Sequence, residues 1–315
     1  MGIVAVAGGT GGVGRALVEA INARGKHEVK IFSRKPNDAV SADLGVPIII
    51  VDYSDVEQLT KVCEDNNIDT IISAISTMPG GGTPEVNLVK AAQASKTTKR
   101  FVLGNWGVPL TGGNTDLIPT TSIKLQALEE VKKTDLQYTA FYPGFFTDFY
   151  AIGAIKSYMT PMTSVVDLAH NIAAIPGSGD VPIVFTHTSD VGKYVDAALD
   201  LEKWETEYYL IGDKVTWHEF VKLAEAAKGT KFKVVYDSVE DMKKGSVTEL
   251  PSLTAALPYI PVPKEVLLGF AAVFGLMFDD GTFDFKTAGA LNEKFPEIKP
   301  ITVKAALEAA GKGGQ

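Results

Sequence analysis

Five glycines fall within seven residues in the stretch VAVAGGTGGVGRALVEAI: Gly8, Gly9, Gly11, Gly12 and Gly14. Gly8, Gly11 and Gly14 are spaced GxxGxxG, while Gly9, Gly11 and Gly14 satisfy GxGxxG. An apolar run, Ile3 to Ala7, precedes them and a helical pattern follows, which is the context a dinucleotide fingerprint requires. Missing side chains permit a tight turn and close approach of the backbone to a pyrophosphate. The helix N-terminus offers that anion unpaired N–H groups and a partial positive charge. Thr10, Gly12 and Val13 are expected to flank it.

A second group follows the next apolar run. An NAD-selective site carries an acid about 20 residues beyond the glycines to hold the ribose 2′-hydroxyl. This chain has Ser33, Arg34 and Lys35 there. Two cations suit an adenosine 2′-phosphate, with Arg34 presenting a planar fork of donors, so NADPH is the expected cofactor. Asp52 and Tyr53 stand near the expected adenine position, and the glycines of Thr77 to Gly82 near its ribose. An ordinary strand end and a plain connector serve equally well there.

Lys124 is the candidate proton-handling group. Ala127, Leu128 and Val131 lie three, four and seven residues on, so Lys124 begins the helical face that packs on a sheet. Burial there would lower its pKa and ease proton exchange near neutral pH. The alternative is a lysine that snorkels to solvent. The stretch YPGFFTDFY supplies Tyr142, Phe145, Phe146, Phe149 and Tyr150, and a later apolar helix supplies Phe270 and Phe274. Phe145, Phe146, Phe149, Phe270 and Phe274 are expected to wall an apolar substrate cavity. His187 could donate to a substrate oxygen, although a structural histidine fits as well.

Elements that would position these residues alternate along the first half. Strands are expected at Ile3–Ala7, EVKIFS, VPIIIVD, IDTIISAIS, KRFVLGN and LQYTAFYP. The third has too many branched residues in a row for half exposure and reads as buried on both faces. Ser54 and Glu57 form the pattern of a capping box, and Thr83–Pro84 an N-cap and first turn. Six strands separated by helices imply an α/β fold with a doubly wound parallel sheet, because each parallel neighbour needs a crossover. After Gly144 prolines and glycines come more often. Residues 1–150 therefore read as the NADP(H)-binding domain and 151–315 as a lobe laced onto it, with about 181–201 returning to the main sheet.

The whole chain narrows the functional classes. It has 315 residues and a formal net charge of −8, which argues against a nucleic-acid partner. One cysteine, Cys63, and four scattered histidines give neither a disulfide nor a metal-ligand spacing, so no metal is expected. The longest apolar run, Val266 to Phe278, falls short of the ~20 residues that span a bilayer. No signal-peptide pattern opens the sequence, and the protein reads as cytoplasmic. No G-x-S-x-G elbow supports a hydrolase. Self-association as a homodimer is left open.

With these residues in place, the sequence resembles the NmrA-like and isoflavone-reductase-like group of atypical short-chain dehydrogenases, in particular its fungal members. The resemblance rests on VAGGTGGVGRALVEAI, Arg34, KRFVLGNWGV, Lys124 in SIKLQALEEV, YTAFYPGFFTDF and LNEKFPEIKPIT. It implies a Rossmann domain with a smaller C-terminal substrate-binding lobe. It also implies NADPH-dependent reduction of conjugated or ether-bearing ring compounds, often in secondary metabolism. The family's catalytic lysine matches Lys124. Two departures stand out. Thr120 occupies the place of the tyrosine in Tyr-x-x-x-Lys, and Asn105 and Trp106 replace a serine and an acid after the fifth strand. Two readings follow: a reductase of a hydrophobic aromatic or polycyclic small molecule, or a dinucleotide-sensing regulator that binds a protein partner without turnover.

Overall fold

A computed structural model of the chain describes residues 2–76, 83–110, 121–257 and 263–312. Its first half runs β1 (Ile3–Ala7), α1 (Gly12–Arg24), β2 (Glu28–Ser33), α2 (Asp38–Leu44), β3 (Ile48–Ile50), α3 (Val56–Asp65), β4 (Thr70–Ser73), α4 (Pro84–Ala94), β5 (Arg100–Val102), α5 (Thr121–Val131) and β6 (Gln137–Tyr142). The second half adds β7 (Phe145–Phe146), a 3-10 turn (Thr147–Tyr150), β8 (Val166–Asp167), β9 (Ile172–Pro176), β10 (Ile183–Thr186), α6 (Thr188–Leu199), β11 (Glu207–Tyr209), β12 (Asp213–Val215), α7 (Trp217–Lys228) and β13 (Lys233–Asp237). Five helices follow: α8 (Val239–Lys243), α9 (Pro251–Ala255), α10 (Lys264–Asp279), α11 (Leu291–Lys294) and α12 (Val303–Lys312).

The main sheet has the order β3-β2-β1-β4-β5-β6-β11, and every neighbouring pair is parallel. The order in which strands are added reverses between β1 and β4, outward to β3 on one side and to β11 on the other, which is the switch point at which open α/β sheets bind ligands. On one face Leu17 and Ile21 of α1 pack with Val191, Tyr194 and Val195 of α6. On the other, Leu59 and Cys63 of α3 lie with Leu88 of α4 and Ala127 and Val131 of α5. This is the Rossmann arrangement expected from the alternation of elements. Helix α1 opens at Gly11 and closes at Gly25, whose left-handed backbone (φ +66°) lets its N–H reach the Ile21 carbonyl. Two three-stranded sheets, β12-β10-β7 and β13-β9-β8, carry the remaining strands among the described residues.

Several expectations need correction. β3 is not buried on both faces. It is an edge strand, paired only with β2, and Ile50 is 47% exposed. Branched residues favour a strand but do not say where in the sheet it lies. The cap of α3 is Asp55, whose carboxylate accepts the Gln58 N–H; Ser54 instead donates its hydroxyl to Asp52. The return at 181–201 divides. α6 does join the helix layer beside α1, but β10 pairs with β7 and β12, and β11 is the strand that extends the main sheet. The crossover from β2 to β3 is the short helix α2, capped by Asn37, whose side chain accepts the Val40 N–H.

Candidate active site

The strands β1, β4, β5 and β6 end side by side, and the described residues that follow them make up one candidate site. In the first loop, Gly8 adopts φ +82°, and a Cβ there would lie 2.5 Å from the Ala74 carbonyl oxygen. A Cβ at Gly14 would press into the Gly8 carbonyl. These two glycines bring α1 against β1 and β4. Gly11 differs, since its backbone is extended and no atom lies within 4 Å of an added Cβ. The N-terminus of α1 carries no side-chain cap and no acidic residue in its first turn. It has more N–H donors than the helix can satisfy, which fits a dinucleotide pyrophosphate, although the Gly12 N–H donates to the Tyr158 carbonyl in this structure. Thr10 and Val13 stand at this helix N-terminus, both partly exposed, and Gly12 has φ +51°. Arg34 and Lys35 follow β2 with exposed side chains. Tyr53 is buried and donates its hydroxyl to the Phe32 carbonyl, whereas Asp52 is exposed. Residues 77–82 and Thr120 lie outside the described residues.

Beyond β5 the chain meets Lys124. The Gly104 peptide is gripped from both sides: its N–H donates to Glu85 Oε1 at 2.5 Å, and its carbonyl accepts from Lys124 Nζ at 2.5 Å. Glu85 is 5% exposed at the start of α4. Burial pushes the Lys124 pKa below the ordinary lysine value, and the negative charge of Glu85 opposes that shift. Gly104 has no room for a side chain, because a Cβ would stand 2.8 Å from Ser73 Oγ and 3.0 Å from Glu85 Oε1. Glu85 did not stand out in the sequence. An acid in a helix's first turn is ordinary, and its partner is 19 residues away.

Lys124 opens into an apolar cavity of about 260 Å³. Phe145, Phe146, Phe149 and Phe274 line it, together with Met159 and Met162. Trp106 and Asn105, which stand where the resemblance implies a serine and an acid, also line it. Trp106 donates Nε1–H to the Ser73 carbonyl and stacks on Phe141, while Asn105 donates to the Val108 carbonyl. Gly144, at φ +74°, turns the chain so that Phe145 and Phe146 face inward, and its N–H bonds to the Gly107 carbonyl. Phe145 is also a core hub, meeting the rings of Phe149, Phe185, Phe274, Phe278 and Phe283. Phe270 is the exception among the expected wall residues. It is half-buried one turn before Phe274 and does not line the cavity.

Other reactive groups are held in structural roles. His187 is fully buried, receives the Ser189 N–H at Nδ1, stands 3.5 Å from Asp148 and does not line the cavity. Ser252, His170 and Asp167 meet, but Asp167 binds both partners and His170 presents the same nitrogen to each. A relay needs the two ring nitrogens on opposite partners, so this cluster ties α9 to β8. Burial pushes the Cys63 thiol up to about 12, which keeps it inert. Among the described residues no group of acids, histidines or cysteines holds a metal geometry, and no helix is long and apolar enough to cross a membrane.

Residues 8–174, more than half of the chain, match the family model described as NAD(P)H-binding. The chain is 36% identical over 301 residues to oxidoreductase BOA1 of Botryotinia fuckeliana, covering 94% of this chain and 95% of that protein. It is 24% identical over 320 residues to phenylcoumaran benzylic ether reductase TP7 of Nicotiana tabacum, covering 96% of each. Its fold is similar to that of leucoanthocyanidin reductase from Vitis vinifera, solved with NADPH, at a TM-score of 0.74 and 18% identity over 99% of this chain and 100% of the other.

Proposed function

The chain belongs to the NAD(P)H-binding, isoflavone-reductase-like family of atypical short-chain dehydrogenases, and on that premise we propose that it is an NADPH-dependent reductase of an uncharged aromatic or polycyclic compound of secondary metabolism. The observation that carries this reading is Lys124, which opens from beside the glycine turn's sheet edge into a cavity walled by Phe145, Phe146, Phe149 and Phe274. Such a wall accepts a flat apolar ring and excludes the water that would compete with reduction. The bound dinucleotide supplies the hydride.

The chain's own residues do the rest. Gly11, Gly12 and Val13 present backbone to the pyrophosphate. Arg34 and Lys35 meet the 2′-phosphate, the feature that favours NADPH over NADH. Lys124, fixed by the Gly104 carbonyl, holds a proton next to the cavity and can give it to an oxygen or carbon of the reduced ring system. Names of relatives support an aryl-bearing substrate: they include a benzylic ether reductase and eugenol synthases. The aromatic-walled cavity beside Lys124 supports turnover, while Thr120 in place of a proton-donating tyrosine is the feature behind the alternative, a dinucleotide sensor.

Two variants test the reading. Arg34→Ala should weaken NADPH binding more than tenfold, the equivalent of ~1.4 kcal/mol or more, and leave NADH little changed in calorimetry. Lys124→Met should keep NADPH bound and cut reduction of a panel of enones, quinones and aryl ethers by about two orders of magnitude or more. Equal affinities of the wild type for both cofactors would exclude the 2′-phosphate role of Arg34. Full turnover by Lys124→Met would remove the lysine from the chemistry.

A further inference from the structure

The segment 156–162 lies across the very backbone that the dinucleotide needs. The Gly12 N–H, in the first turn of α1, donates to the Tyr158 carbonyl at 3.2 Å. Met159 Sδ sits 3.8 Å from where a Gly12 Cβ would be. Side chains hold the segment down: the Tyr158 hydroxyl donates to Glu19, the Arg15 guanidinium covers the Tyr158 ring at 4.1 Å, and Lys156 pairs with Glu19 at 2.8 Å. Its near end is pinned elsewhere, where Ser157 Oγ donates to the fully buried Asp148 at 2.5 Å. The far end reaches the substrate cavity, which Met159 and Met162 line.

One N–H cannot serve both a carbonyl and a phosphate in good geometry. A pyrophosphate at the α1 N-terminus must therefore displace Tyr158, and Met159 moves with it. The cavity as it stands, at about 260 Å³, is smaller than the roughly 300–1,000 Å³ of ordinary ligand pockets. We propose that segment 156–162 is a gate shared by both sites: it covers the dinucleotide turn in the free protein, and the arriving dinucleotide lifts it and carries Met159 out of the cavity, so that cofactor binds before substrate. This rests on the glycine turn being the dinucleotide site. Methionines suit the part, because their unbranched side chains repack at little cost. Ser157, held by Asp148, is the pivot.

The experiment combines NADPH calorimetry with hydrogen–deuterium exchange. Tyr158→Ala removes the ring and hydroxyl that hold the segment down, and Glu19→Gln weakens the same anchor from the surface of α1. Both should bind NADPH more tightly than wild type, by about tenfold for Tyr158→Ala, the equivalent of ~1.4 kcal/mol. In the wild type, NADPH should raise exchange across 156–162 while lowering it at 9–14. Unchanged or weaker affinity in both variants, with 156–162 protected on binding, would overturn the gate and leave the dinucleotide site standing. Absence of NADPH binding in the wild type and in both variants would overturn the site and the gate together.

Discussion

At the scale of single residues, the decisive unit is the Gly104 peptide held between Glu85 and Lys124. A lysine this enclosed tends to lose its proton, because an ammonium is poorly solvated away from water. The nearby carboxylate of Glu85 works against that tendency. Replacing Glu85 by Gln keeps an oxygen for the Gly104 N–H and removes the charge. The Lys124 pKa should then fall further. A proton-donating lysine is active below its pKa, so the basic limb of the kcat–pH profile should move to lower pH in Glu85→Gln. A basic limb that stays in place would show that Lys124 does not hold the transferred proton. The spacing of Lys124, Ala127, Leu128 and Val131 made its helical face legible in the sequence. Glu85 was not legible, since only the fold brings the start of α4 beside the end of β5.

At the scale of elements, the glycine turn between β1 and α1 separates packing from binding. Gly8 is required by the fold: its φ is +82° and the Ala74 carbonyl occupies the place of a side chain. Gly8→Ala should cost about 2–5 kcal/mol, the sum of backbone strain and overpacking. Gly11 has an ordinary extended backbone and open space above it. Gly11→Ala should stay within about 1 kcal/mol of wild type and lose most of its NADPH affinity, since the methyl group would stand where the pyrophosphate approaches. Urea melts and calorimetry on the two variants separate these outcomes. Loss of stability in Gly11→Ala with affinity intact would reverse the assignment. The fingerprint marks all of these glycines alike; their division of labour depends on what stands opposite each one.

At the scale of the whole molecule, the second half is tied back onto the first. Helix α6 lies against α1 closely enough that a Cβ at Gly192 would be 2.7 Å from the Ala16 carbonyl oxygen. At its end Asp200 receives Arg24 and Lys26, with His27 at 3.2 Å. Burial alone would raise the Asp200 pKa, but hydrogen bonds from Lys26, Arg24 and His27 outweigh it and hold the carboxyl at about 2. A depressed carboxyl stabilises the fold above its unfolded value and loses that contribution as pH falls towards its folded one. The clamp should therefore be fully present above about pH 4 and weaken between about pH 4 and about pH 2. Asp200→Asn should lower the melting temperature at pH 7 and show a shallower decline over that acid window. An identical acid decline in the variant would mean that the clamp adds nothing to stability.

Sequence alone determined what depends on neighbours along the chain. The 2-periodic and 3.6-periodic runs set the alternation of strands and helices, and alternation forces a parallel, doubly wound sheet because each crossover needs a helix. The glycine spacing after β1, the cations after β2 and the aromatic run after β6 were equally local, and each lies on the ligand side of that sheet. Tertiary structure alone decided what depends on residues distant in the chain. It made β3 an edge strand, chose β11 over β10 to extend the sheet, left Phe270 off the cavity wall, set Glu85 beside Lys124 and laid Tyr158 over Gly12. None of these has a periodic or compositional sign, because each arises where two segments meet only after the sheet has closed around them.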